Sequence, residues 1–117
     1  MVTQIIKNFD SLATTPLRKD ALFILESGLQ AIDTKAALRK TVSRQQKILT
    51  VGRKRFQLDS FRRIFVIGIG KASFKAAQEL EKILSHRITG GIVLDVQSGP
   101  LKRIKSIAGT HPFPILC

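Results

Sequence analysis

The residues best placed to do chemistry lie in Gly68-Ile-Gly-Lys-Ala-Ser73, directly after the apolar run Ile64-Phe-Val-Ile67. The order reads as a buried strand, a glycine turn and the start of a helix. Glycines let the backbone come close to a ligand, free N–H groups point outward, and the helix dipole adds partial positive charge, which suits a phosphate or a carboxylate. Lys71 adds a full positive charge at a helix start, where a cation opposes the dipole unless an anion sits between them. The competing reading is a tight turn whose glycines only permit close packing, with Lys71 as a surface lysine. Ser73 stands where a dinucleotide fingerprint has its third glycine, and Asp95 follows near a second strand end, where an acid can meet a ribose. The spacing before Gly70-Lys71 excludes a Walker A loop.

His111 falls in the loop Gly109-Thr-His-Pro-Phe-Pro114, after a third predicted strand. Ligands on open α/β sheets gather at the carboxyl ends of strands, so His111 and Lys71 could share one cleft. The plainer alternative is a loop histidine bonded to backbone. His86 reads as a charge on a helix C-terminus. With one Cys and two His, nothing has zinc spacing, and no Ser/His/Asp triad can be argued.

The elements that must position these residues follow from periodicity. Residues 1–15 read as a leader. Thr15 and Pro16 are a cap and a first helical position, and Leu22, Leu25, Leu29 and Ile32 continue at helical spacing, predicting a helix over 16–32. Asp33 caps a second helix over 34–45. Ile48–Val51 and Lys54–Leu58 flank Gly52-Arg53 as an exposed hairpin ribbon. Strands are predicted at 63–67, 91–96 and 104–108. A helix over 71–84 should turn Phe74, Ala77, Leu80, Ile83 and Leu84 inward. Strand, helix, strand in this order implies a right-handed crossover. The continuous apolar character of the first core strand predicts cover on both faces. The fold class is α/β, a partial Rossmann-like parallel sheet preceded by helices.

The chain has 117 residues, 44% of them hydrophobic, which suits one domain with a real core. Its net charge is +12, and between Thr34 and Arg63 Asp59 is the only acid among the basic residues Lys35, Arg39, Lys40, Arg44, Lys47, Arg53, Lys54, Arg55, Arg62 and Arg63. Such a surface attracts anionic partners such as nucleic acid, acidic membranes or phosphorylated metabolites. It can equally be a solvated face, or one matched by an acidic partner or another domain. Phe residues do not alternate with basic ones as a base-stacking platform requires. The single cysteine, Cys117, rules out an internal disulfide. No apolar run approaches the ~20 residues of a membrane span, and Met1–Asp10 lacks the pattern of a signal peptide, so a soluble, cytoplasmic protein with no membrane partner is expected.

Five segments in order carry a resemblance: Leu17–Asp33, Phe65-Val-Ile-Gly-Ile-Gly-Lys-Ala72, Gly90-Gly-Ile-Val93, Leu101-Lys-Arg-Ile104 and Gly109-Thr-His-Pro-Phe-Pro114. Together they resemble the N-terminal part of glycerate 2-kinases of the MOFRL-associated type, a type sometimes called hydroxypyruvate reductase in older usage. The resemblance implies ATP-dependent phosphorylation of D-glycerate to 2-phosphoglycerate with Mg²⁺. It implies a catalytic or phosphate-binding role for Lys71, a glycine turn at Gly68 and Gly70, and a substrate loop at His111, here with Thr110 between Gly109 and His111; Ser73, next to the turn, joins Gly68, Gly70 and His111 as the residues expected to bind substrate or phosphate. Members of that family continue past this loop. A truncated or frame-shifted member is therefore expected, lacking a C-terminal domain, inactive alone, and exposing an unpaired sheet edge and apolar faces. Two other classes stay open: a small basic nucleic-acid-binding protein, and a dinucleotide binder that the missing third glycine disfavours.

Overall fold

A computed structural model describes residues 4–110. The chain opens with α1 (Phe9–Leu12) and α2 (Pro16–Ala31). The Thr15 hydroxyl accepts from the Arg18 N–H at 3.2 Å and Pro16 takes the first helical position, as the sequence predicts. The two helices meet through Phe9 and Phe23, whose tilted rings lie 5.0 Å apart. The buried Glu26 carboxylate accepts the backbone N–H groups of Ile5 and Ile6, tying residues 5 and 6 to α2. The stripe expected of α2 is only partly covered: Leu22 and Leu29 are half-buried, whereas Leu25 and Ile32, with Phe23 and Ile24 beside them, are exposed.

α3 spans Thr34–Thr41, and the Asp33 carboxylate accepts from Ala36 N–H at 3.2 Å, as its cap. The predicted continuation to residue 45 is instead strand β1 (Val42–Gln45). It pairs antiparallel with β2 (Ile48–Val51), which pairs with β3 (Lys54–Gln57). The β1–β2 turn runs through Gln46 at φ 53°, a left-handed conformation reached without the glycine or asparagine that would announce it. The ribbon is only partly exposed. β3 faces solvent throughout, whereas Val42 and Leu58 are buried and Leu49 packs on the core.

The second sheet is parallel, in the order β4 (Phe65–Ile69), β5 (Gly90–Asp95), β6 (Lys105–Ala108). α4 (Ser73–Leu84) connects β4 to β5. Together with the helices, this makes the chain an α/β protein. The core lies between this sheet, α4 and the ribbon: Leu58, Ala77, Leu84, Ile88, Val93 and Ile104 are buried together, with Leu80 and Ile83 packed on them.

Among the described residues only one face of the parallel sheet is covered. Val66 and Val93 point toward α4, while Phe65, Ile67 and Ile69 on the opposite face are 58%, 76% and 81% exposed. Ile92, Leu94 and Ile107 extend that bare face across β5 and β6. The expected two-sided burial of β4 is therefore not met by the described residues. The reason is plain in the topology: one crossover helix shields one face, and no described element lies on the other.

Candidate functional site

Loops after β4 and β5, together with Gly109 beyond β6, come together at one end of the parallel sheet. Gly70 N–H donates to the Leu94 carbonyl at 3.0 Å, and Gly109 N–H donates to the Asp95 carbonyl at 2.7 Å. The sheet end that the strand order predicts as the ligand end is thus where Lys71 sits and where the chain runs on toward His111, which lies outside the described residues.

The two glycines of the turn have different jobs. A side chain at Gly68 would meet Val93 Cγ1 at 2.8 Å and Ser73 Cβ at 2.9 Å, so this glycine lets β4 press against β5 and the start of α4. Gly70 has φ 121° with open space around its Cα, so it is needed for its backbone conformation. The packing reading holds for Gly68, and the turn that bares Lys71 depends on Gly70.

α4 begins at Ser73, two residues later than predicted, so Lys71 lies in the turn before the helix. It is exposed, and among the described residues it has no ion pair or hydrogen bond. The Ser73 hydroxyl lies 2.8 Å from the Gly70 carbonyl and 3.0 Å from the Leu94 carbonyl. Its single proton is shared between them, leaving lone pairs but no donor for a phosphate.

Asp95 answers the question of which anion sits on the helix start. It is 4% exposed, its Oδ2 accepts from Phe74 N–H at 2.9 Å, and its Oδ1 accepts from Gln97 N–H at 3.3 Å. The carboxylate caps α4 from the end of β5 and is favoured there by the dipole. Each oxygen already accepts one N–H and the side chain is buried, so Asp95 is turned to the helix start and not outward to a ribose, which weakens the support for a dinucleotide site. It also supplies part of the anion that the placement of Lys71 called for. An external anion would sit further out, toward the Lys71 ammonium and the turn.

Three supporting residues escaped the sequence reading. The Glu81 carboxylate accepts N–H groups of Lys102, Arg103 and Ile104 at 2.9, 2.7 and 3.1 Å, fastening the β5–β6 loop to α4. Burial pushes the Glu81 carboxyl up, but these N–H groups, led by Arg103, with the Lys102 charge, hold it below its ordinary value. The Arg44 guanidinium donates to the Ile83 and Leu84 carbonyls at 3.3 and 2.9 Å, closing the C-terminus of α4. Asp59 pairs with Lys47 at 2.8 Å and Arg87 at 2.6 Å, and hydrogen bonds from Lys47 first and Arg87 second lower its carboxyl. None of these partners is a sequence neighbour, so no local pattern announces them. A hollow of about 190 Å³ lined by Glu81, Ser85, His86, Lys102 and Arg103 lies at the far end of α4 from the glycine turn.

Among the described residues no three His, Cys, Asp or Glu side chains converge as metal ligands. With Asp95 committed to backbone, the glycine turn offers a cation and N–H groups. It suits an anion and does not fit a magnesium ion.

Comparison with known proteins places this geometry in a family. A family model described as a domain of unknown function (DUF4147) matches residues 20–115. The glycerate 2-kinase of Picrophilus torridus is 29% identical over 111 residues, covering 92% of this chain and 24% of that enzyme. The crystal structure of the PH0495 protein from Pyrococcus horikoshii OT3 superposes with a TM-score of 0.69 at 27% identity, over 87% of this chain and 23% of that one. The chain therefore spans about a quarter of the length of the relatives it matches. Matched along nearly all its length, it belongs to the DUF4147 family and is a relative of a glycerate 2-kinase.

Proposed function

We propose that this chain forms one wall of the active site of a glycerate 2-kinase-like phosphotransferase, and that it does not turn over substrate by itself. The observation that carries the reading is the bare Lys71 ammonium on the Gly70 turn, at the ligand end of a parallel sheet, in a chain related to a glycerate 2-kinase. The substrates would be D-glycerate and ATP. The glycerate 2-hydroxyl oxygen attacks the γ-phosphorus, the bond to the β-phosphate oxygen breaks, and ADP and 2-phosphoglycerate leave with one proton released. Phosphoryl transfer asks the protein for position and charge stabilisation more than for covalent chemistry. Lys71 supplies positive charge where negative charge develops on the phosphoryl oxygens. Gly68 and Gly70 hold the turn in place, Ser73 stitches that turn to β5, and His111 is proposed to contact substrate. Any Mg²⁺ needs carboxylates other than Asp95.

The test is glycerate-dependent ADP release after the chain is mixed with the portion of the Picrophilus torridus enzyme outside its matched quarter. Lys71→Ala should lower the restored rate by about 10²–10³-fold, in the range of losing one transition-state charge partner. An unchanged rate refutes the role of Lys71.

One observation keeps a second reading in view. β3 is exposed along its whole length and carries Lys54 and Arg55 next to the β2–β3 turn at Arg53. A mobility shift that weakens steeply with salt would mark this ribbon as a nucleic-acid surface. Against it, Arg44 is spent on α4, Lys47 on Asp59, and Arg39 on Glu79 at 3.2 Å.

A further inference from the structure

We infer that the hollow beside the C-terminus of α4 binds one small phosphate-bearing anion, at the opposite end of that helix from the glycine turn. Glu81, Ser85, His86, Lys102 and Arg103 line it. The inference does not depend on the kinase reading, because none of these residues belongs to the Lys71 turn.

The charge of the lining favours an anion. Lys102 and Arg103 each bring a positive charge, and the acid among the lining residues is Glu81. Its carboxylate is turned to the backbone N–H groups of Lys102, Arg103 and Ile104, which meet its charge. The Arg103 guanidinium donates to the Ile88 carbonyl at 3.2 Å. That bond fixes the group and leaves most of its N–H donors open to a ligand. The Lys102 ammonium and the Ser85 hydroxyl have no hydrogen bond or ion pair among the described residues. A guanidinium, an ammonium and a hydroxyl around one hollow match the several acceptor oxygens of a phosphate. The negative end of the helix dipole would oppose an anion here, but the Arg44 guanidinium already sits on the Ile83 and Leu84 carbonyls and offsets it.

The backbone supplies an independent reason. Ser85 ends α4 at φ 52° and ψ -128°. Glycine is the usual residue at a helix end with positive φ, and a side chain there is strained. No hydrogen bond of the Ser85 hydroxyl among the described residues offsets that strain. Glycine would make the same turn more easily, and what serine adds is an O–H in the lining of the hollow. Size then limits the ligand. The hollow measures about 190 Å³, below the ~300–1,000 Å³ of sites for cofactors and drug-sized molecules. Free phosphate or a short phosphorylated acid fits, and a nucleotide does not.

The experiment titrates the isotope-labelled chain with inorganic phosphate at constant ionic strength and follows each backbone amide by NMR. The expected result is a saturable shift of the Ser85, His86, Lys102 and Arg103 amides that persists in Lys71→Ala, where the other candidate anion site is removed. Lys102→Gln should weaken this binding about tenfold, as for the loss of one hydrogen bond to a charged group. Ser85→Gly should weaken it as well while raising the urea midpoint, because the strain is relieved. A serine with only a structural role would move the midpoint and leave the affinity alone, and that result overturns the proposal. So does a titration that saturates only around Gly70 and Lys71, or one that Lys102→Gln leaves unchanged. A parallel titration with 2-phosphoglycerate identifies the source: tighter saturation marks a phosphorylated acid, and equal or weaker saturation marks free phosphate. Failure at this hollow leaves the role of Lys71 untouched.

Discussion

At the scale of single residues, the carboxylates hold the structure, and Lys71 has no partner among the described residues. Asp95 caps α4 across 21 residues of sequence, and its removal leaves the Phe74 N–H buried without a partner. Asp95→Ala should cost about 1–2 kcal/mol, read as a lowered urea midpoint, and Asp95→Asn less, because an amide oxygen can still accept. No loss in either variant would mean that the cap is idle. Glu81 gives a pH signature with a definite sign. Its folded pKa lies below the ordinary 4.5, so the stability it contributes is complete above that value and lost as pH falls through the lowered one. Asp59, lowered from 3.8, adds in the same direction. The urea midpoint should therefore drop as pH is taken below 4.5, and drop less in Glu81→Gln. Equal acid slopes in the two proteins would contradict this.

At the scale of elements, α4 is the part on which the site depends. Asp95 and Ser73 fix its start, Arg44 closes its end, and Glu81 on its flank holds the loop into β6. Arg44→Ala removes a charged donor from two helix-end carbonyls and should cost about 1.5–3 kcal/mol, with faster amide exchange in the last turn of α4 and in β1. Exchange unchanged in both places would remove Arg44 from the account. This region also shows how far local sequence reaches. α4 and the three parallel strands were legible because their apolar periodicity, Gly68 and Gly70 are local signals. β1 was not, because Thr34–Gln45 carries a helix cap and helix formers, and what ends α3 is pairing with β2 through a turn at Gln46. The start of α4 was misplaced by two residues because Ser73 and Asp95 act from across the turn. The glycine turn that carries Lys71 was legible, whereas the carboxylate already on the helix start became visible only in three dimensions.

At the scale of the whole molecule, the dominant fact is uncovered apolar surface. Among the described residues the parallel sheet is shielded on one side only, and helix α2 exposes Phe23, Ile24 and Leu25. α2 was legible as a helix, but its burial was not, since periodicity marks an apolar face without saying what packs there. The free chain in solution should scatter X-rays with a radius of gyration near 17.9 Å. A value near 13 Å, as for a compact domain of this length, would show that the exposed faces close on each other.

The most direct measurement is coupled ADP release with D-glycerate and ATP, run side by side on the purified 117-residue chain and on the chain mixed with the unmatched portion of its Picrophilus torridus relative. The account predicts no glycerate-dependent turnover from the chain alone and measurable turnover from the mixture, lost in Lys71→Ala. Glycerate-dependent turnover by the chain alone, or none from a mixture that assembles, would contradict it.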